Sequence, residues 1–346
     1  MTVAPLAIIG AGIAGLACAR VLVDHGRAVQ LFDKARGPGG RLANRRIGET
    51  VFDLGAQHFT ARHPTFRRAL SAWRDAGLVA PWPTRPWRVS ADGWQPASAA
   101  ERFTAVPRMS ALARHLAQGL DVHTGQRITA LQSTRDGWWL ETESGAHHGP
   151  FAGVVLALPT PQAAALLGPV APELAAACTQ RPMTPCWAAC VRFSTPLPAL
   201  DAPAPDWQTA AFLTGPTRTL HRAIRNHTRP GRHAQGESLT LLADVAWSVE
   251  HLEDDPATVA DALLAAFAAQ YPAPLPAAEC LTAHRWRYAQ PAAADTGGSG
   301  YRLGADGLAL CGDAWRNGRI EDAWLSGHAL GHHLATHSAD KENLHA

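Results

Sequence analysis

The first sixty residues alternate between short apolar runs and glycine-rich breaks. Leu6-Ala7-Ile8-Ile9 stops at Gly10, an Ala- and Leu-rich stretch continues to about His25, and a second apolar run covers Ala28 to Phe32. Continuous apolar runs on either side of a helical stretch predict a β-α-β unit with strands buried on both faces. Two later runs share this character: Val154 to Leu158, ahead of Pro159, and Leu308 to Cys311, ahead of Gly312. Both read as parallel strands of the same sheet, so distant segments are expected to assemble side by side. From about 180 to 290 the runs are shorter and alternate, as in Cys190-Val191-Arg192-Phe193 and Leu239 to Val245. That texture predicts a second, antiparallel sheet inserted into the first unit. Trp82 to Pro107 is rich in Trp and Pro, and Pro196 to Trp207 reads as an exposed loop.

The pattern divides the chain into a discontinuous first domain (1–80, 105–170 and 290–337), a second domain inserted into it (81–104 and 171–289) and a flexible tail (338–346). A length of 346 residues suits two such regions, and 47% apolar with 17% charged residues supplies a sizeable core while excluding a disordered or fibrous chain. Net charge is only +2 and no basic run exceeds Arg45-Arg46 or Arg67-Arg68, so no nucleic-acid surface is expected. Met1 to Gly15 lacks a basic leader and cleavage motif, and no apolar run could span a membrane; a cytoplasmic location is the default. Six cysteines without a Cys-x-x-Cys pair predict reduced, buried thiols. His328, His332, His333 and His337 fall at helical spacing and read as a solvated face, with no metal site expected.

Chemistry enters at Gly10-Ala11-Gly12-Ile13-Ala14-Gly15, which joins the first strand to the first helix. Glycines there allow a tight turn and close approach of a pyrophosphate to the helix N-terminus. Asp33 ends the second strand, where a carboxylate accepts both ribose hydroxyls and disfavours a 2′-phosphate, leaving NAD or FAD. The next turn, Asp33-Lys34-Ala35-Arg36-Gly37-Pro38-Gly39-Gly40-Arg41, is similar to the Gly-Gly-Arg segment of glutathione-reductase-type flavoproteins, where it holds the second phosphate. A third segment, Gly312-Asp313-Ala314, precedes a helix containing Arg319, Ile320, Glu321, Ala323 and Trp324. Its aspartate suits ribityl hydroxyls and the helix N-terminus suits the pyrimidine edge of a reduced flavin. Together the three segments point to FAD.

Over nearly its whole length the chain resembles the bacterial renalase-type FAD-dependent oxidoreductases, relatives of the flavin amine oxidases. The nucleotide motifs above are shared by many flavoproteins. The resemblance rests also on Val106-Pro107-Arg108-Met109-Ser110, Ala157-Leu158-Pro159 with Gln162, Arg229-Pro230-Gly231-Arg232 and Trp247-Ser248 with His251, while Phe52-Asp53-Leu54-Gly55-Ala56-Gln57-His58-Phe59-Thr60, His284-Arg285-Trp286-Arg287-Tyr288-Ala289 and the segment from Gly312-Asp313-Ala314 through Leu325-Ser326-Gly327 are much more specific. The resemblance implies an α/β fold: a glutathione-reductase or p-hydroxybenzoate-hydroxylase-like Rossmann FAD domain, discontinuous, with an inserted mixed β-sheet roofing a substrate pocket. It implies non-covalent FAD, hydride transfer from a 1,2- or 1,6-dihydro isomer of NAD(P), and reoxidation by dioxygen to hydrogen peroxide. Gln57, His58 and Trp286 would then stand at the reacting centre. Gly10, Gly12, Ile13, Ala14, Gly15, Asp33, Lys34, Gly40, Arg41, Ala56, Gln57, His58, Phe59, Ile128, Gly312, Asp313, Arg319, Ile320, Glu321 and Ala323 would hold the cofactor.

The chain departs from that pattern mainly where substrate would lie. His58 replaces the tyrosine that commonly follows Gly-Ala-Gln, Leu242 stands where a histidine would face the ligand, Leu42-Ala43-Asn44 replaces a Met-Ser-Thr-like run, and Asp322 replaces glycine. One reading is that His58 restores the missing imidazole from another position. A rival class, amine or amino-acid oxidation, commonly uses a lysine that holds water against the flavin. Of 31 basic residues only Lys34 and Lys341 are lysine, one in the nucleotide segment and one in the tail, which counts against it. A redox-sensing flavoprotein or an aromatic monooxygenase stays open.

Overall fold

The computed structural model describes residues 4–199, 207–213, 218–232, 236–295 and 297–343. Its first sheet has six strands in the order Tyr301–Leu303, Leu308–Cys311, Gly153–Leu156, Leu6–Ile9, Val29–Asp33 and Asp121–Thr124. All pair in parallel except the edge strand Tyr301–Leu303, which is antiparallel to its neighbour. Leu6–Ile9, Gly153–Leu156 and Leu308–Cys311 are buried at every position, which explains why they carry no polar alternation. One face of the sheet is covered by the helix Ile13–Asp24 and the long helix Ile320–Asn343. The two helices approach closely because Gly327 faces Ala14: a Cβ there would stand 1.9 Å from the Ala14 carbonyl oxygen.

The second sheet runs Ala278–Pro291, Met183–Phe193, Glu237–Ala243, Leu220–Arg225, Thr209–Phe212, Pro86–Ser90 and Gly93–Pro96. Its pairing is antiparallel except between Thr209–Phe212 and Pro86–Ser90, so it is mixed, recruiting the Trp- and Pro-rich segment to its edge. The helix Pro256–Ala268 packs Val259, Leu263 and Phe267 into the core on one face. The hairpin Asn44–Ile47 with Thr50–Asp53 reaches across to this sheet, where Phe52, Leu54 and Cys190 form a small apolar cluster with Ile47 and Trp286 against it.

Some boundaries differ from the sequence pattern. The strand predicted to Leu158 ends at Leu156; Ala157 still donates its N–H to Ile9 O but the chain has turned out of the sheet. The run Leu239 to Val245 is a strand only to Ala243, because the Asp244 carboxylate caps Ala246 N at 2.9 Å and starts the helix Val245–Glu250. The last helix extends to Asn343, into the segment read as a tail, whose residues 344–346 lie outside the described residues. Most of the proposed loop Pro196 to Trp207 is also outside them. Cys18, Cys178, Cys186 and Cys311 are free thiols, and burial pushes the last two up to about 12. No helix among the described residues is long and apolar enough to cross a membrane.

Candidate active site

A cleft of about 1950 Å³ lies between the sheets. The carboxyl ends of four parallel strands open into it through Gly10, Asp33, Ala157 and Gly312, where open α/β sheets bind ligands. Gly12 begins the first helix with bare backbone: a Cβ there would meet no atom within 4 Å, and the same holds at Gly312. Asp33 is held from both sides, Oδ2 accepting from Ala11 N and Oδ1 from Ala35 N, each at 2.8 Å. Lys34 is beside it, its pKa lowered by burial and by Arg127. Farther along, Arg41 makes a bidentate pair with Asp313 (2.7 and 2.5 Å) and also donates to Ala289 O. Two stretches of open backbone, one at a helix N-terminus, and a volume above that of ordinary small-molecule pockets fit a dinucleotide with room for a second ligand.

Gln57 and His58 rise from the loop after the hairpin. The Gln57 amide is fully engaged: its nitrogen donates to Asp53 O (2.8 Å) and Gly55 O (2.9 Å), and its oxygen accepts from Arg229 Nη2 (2.6 Å). Arg229 also donates to Gln57 O and lies 3.5 Å from Asp53, while its guanidinium stacks over Trp82 at 4.5 Å. Arg232 pairs with the same fully buried Asp53. Gln57 is thus an anchor point, with no free hydrogen-bonding group for chemistry. His58 differs, since its Nδ1 is buried and has no partner. Burial first, then Arg102, Arg222 and Arg229, lowers its pKa to about 3, so the imidazole is neutral at physiological pH. Trp286 donates its indole N–H to Leu54 O at 3.0 Å and meets His284 edge-on at 4.6 Å.

The second sheet roofs the cleft with one cross-strand row, His284, Ala188, Leu242 and Arg222, each directly opposite the next on adjacent strands. A bulge at His221 interrupts the pairing between Leu220 and Arg222, and both His221 and Arg222 line the cleft. Arg218 is beside them and pairs with Asp244.

Comparison with known proteins gives the chemistry. The NAD(P)-binding Rossmann-like domain matches residues 8–73. The family described as flavin containing amine oxidoreductase matches residues 95–329, more than half of the sequence. The chain belongs to that family. As a flavin amine oxidoreductase it is an FAD-dependent enzyme, and the cleft is where its residues fit FAD. It is similar in fold to a protein assigned as a protoporphyrinogen oxidase from Exiguobacterium sp. 255-15 (TM-score 0.75, 12% identity, 97% of this chain and 100% of that one). It is also similar to reduced UDP-galactopyranose mutase (TM-score 0.76, 12% identity, 97% and 95%). A zeta-carotene-forming phytoene desaturase of Myxococcus xanthus is 42% identical over 50 residues, which span 14% of this chain and only 10% of the desaturase.

Set against the sequence reading, the flavin amine oxidoreductase brings most of the named residues to one place. Gly10, Gly12, Ile13, Ala14, Asp33, Lys34, Gly40, Arg41, Ala56, Gln57, His58, Phe59, Ile128, Trp286, Gly312, Asp313, Arg319, Ile320 and Ala323 all line the cleft. Gly15 and Glu321 do not. A Cβ on Gly15 would stand 2.0 Å from Gly10 O, so this glycine serves the packing of turn on helix. Glu321 turns away: its Oε1 accepts from Arg62 N and His63 N at 2.8 and 2.6 Å. Asp322, the residue in place of a glycine, binds Arg319 Nε at 2.7 Å and holds that arginine at the cleft. Sequence reasoning missed Arg222, His221 and the Arg218–Asp244 pair. It quoted Arg229 and Arg232 as part of a motif without seeing that they lock Gln57 and Asp53.

Proposed function

We propose that the enzyme is a renalase-like oxidase acting on a 1,2- or 1,6-dihydro isomer of NAD(P). In this reading 1–80, 105–170 and 290–337 hold the cofactor, and 81–104 and 171–289 roof the substrate. FAD, held in the cleft by residues that include Gly12, Asp33, Arg41 and Asp313, would supply the acceptor for a hydride from the dihydropyridine ring, and its reoxidation by dioxygen with a proton from solvent would give hydrogen peroxide.

The carrying observation is that the cleft offers no strong base among its described residues: burial and neighbouring arginines weaken the imidazoles of His58, His221 and His284. Its three carboxylates are all engaged: Asp33 by two backbone N–H groups, Asp244 by Arg218 and Ala246 N, and Asp313 by Arg41. The Cys186 thiol is pushed up to about 12 and His58 keeps a neutral imidazole beneath three arginines. Loss of hydride from a dihydropyridine needs no proton abstraction from carbon, so such a site has only to orient the ring and exclude water. Neutral His58 offers one hydrogen bond for orientation, Trp286 and Leu242 offer apolar surface, and Gln57 keeps the loop in place. The same arginines that hold His58 neutral repel a substrate ammonium group, which favours this reading over amine oxidation.

The test mixes the purified holoenzyme anaerobically with 1,2- and 1,6-dihydro-NAD, ordinary NADH and a panel of amines while the visible flavin band is followed. Rapid bleaching by an isomer, with peroxide formed once oxygen is admitted, is the expected result. Bleaching by an amine alone overturns the proposal.

A further inference from the structure

The roof of the cleft carries a cation with no counter-ion. Arg222 has no carboxylate and no hydrogen-bond partner among the described residues, and its Nε is fully shielded from solvent. The arginines on either side of it along the chain are paired. Arg218 pairs with Asp244, Arg225 with Glu237, and Arg229 and Arg232 with Asp53. Nearby Arg102 also lacks an acid, donating only to the hydroxyls of Thr84 and Thr209 at 3.2 and 3.1 Å. The sheet directs Arg222 to the cleft by a bulge, and its cross-strand partner there is Leu242, which neither competes for it nor neutralises it. His58 lines the same cleft with its Nδ1 buried and unpartnered, and both Arg102 and Arg222 are near enough to act on it.

A partly buried guanidinium without a partner is costly, and where it lines a ligand cleft a ligand can supply the missing charge. We propose that Arg222 and His58 bound an anion subsite at the roof of the cleft, which takes a carboxylate or phosphate group carried by the reducing substrate. Guanidinium geometry matches either anion through two parallel N–H bonds, and neutral His58 adds a directional hydrogen bond without adding charge. The nature of the hydride donor rests on the reading above, and for a dihydronicotinamide nucleotide the group is its phosphate. The negative charge of the ligand is argued from the residues alone.

The test needs no turnover. The holoenzyme in a phosphate-free buffer is titrated with benzoate, phenyl phosphate and uncharged benzyl alcohol, and the flavin difference spectrum gives each affinity. At least one anion is expected to bind roughly tenfold or more tightly than benzyl alcohol. Arg222→Gln should bring the anions to parity with benzyl alcohol while the alcohol's affinity and the flavin content stay as in the wild type, and Arg222→Lys should restore part of the preference. Preference for benzoate identifies a carboxylate site and preference for phenyl phosphate a phosphate site. The proposal is overturned if wild type binds neither anion better than the alcohol, or if the preference survives in Arg222→Gln. Failure of dihydronicotinamides to bleach the flavin leaves this titration untouched, so the two proposals fail separately.

Discussion

His58 sits in the cleft where burial, then Arg102, Arg222 and Arg229, lowers its pKa to about 3, against about 6.5 in an unfolded chain. Below about pH 6.5 the unfolded state therefore takes up a proton that the folded state refuses. The stability associated with this neutral imidazole is complete above that pH and is lost as pH falls toward 3. His58→Asn should weaken the acid-side drop in melting temperature, measured by thermal denaturation across a pH series. Flavin reduction by the best substrate should show no inflection near the ordinary histidine pKa, and an inflection there that His58→Asn removes would contradict a neutral imidazole. His58→Ala should slow reduction about tenfold, the worth of one hydrogen bond, without releasing FAD. Flavin lost on purification would place His58 in the cofactor cradle instead. Gln57 shows what sequence could not supply at this scale: its position in the motif was legible, but its lock by Arg229 joins residues far apart along the chain, and no local pattern encodes such a pair.

At the scale of elements, the first helix and the last illustrate both what is legible and what is not. The glycine turn, the buried strands and the capping break at Gly312 follow from composition and run length, since each is a local consequence of burial or backbone freedom. The contact of Gly327 with Ala14 is not local. Gly327→Ala places a methyl group against backbone that has nowhere to move, so the helices must part. We expect a loss of about 1–3 kcal/mol, read from the denaturant midpoint, with weaker flavin retention because Gly12 starts the displaced helix. Unchanged stability would mean that the two helices slide freely. The bulge at His221 was equally hidden: an extra residue in a strand is visible only once its partner strand is known. Asp244 could have been found, because an aspartate immediately before a helical run is an ordinary capping signal.

Over the whole molecule, the two sheets are coupled at the hairpin ending in Asp53. Phe52 is fully buried between them with Leu54 and Cys190, and Asp53 fastens the same strand to Arg229 and Arg232. Phe52→Ala should cost about 3–5 kcal/mol and make the apparent stability depend more steeply on added FAD, as thermal shifts with and without cofactor would show. A loss below about 1 kcal/mol would mean that the sheets are coupled elsewhere. The interleaving of segments was legible in the four separated apolar runs; the hairpin's bridging role was not, because it depends on charges that meet only in the folded state.

The pair between Arg41 and Asp313 has a bearing on assembly. These residues stand 272 positions apart, and the strand leading to Asp313 adds to the first sheet beside Gly153–Leu156. A ribosome must add every residue between Arg41 and Asp313 before the second half of this clasp exists. Whatever spans the cleft from Gly12 to Gly312 can be enclosed only after Gly312 has been made, so cofactor capture waits for a segment some three hundred residues beyond the first glycine turn.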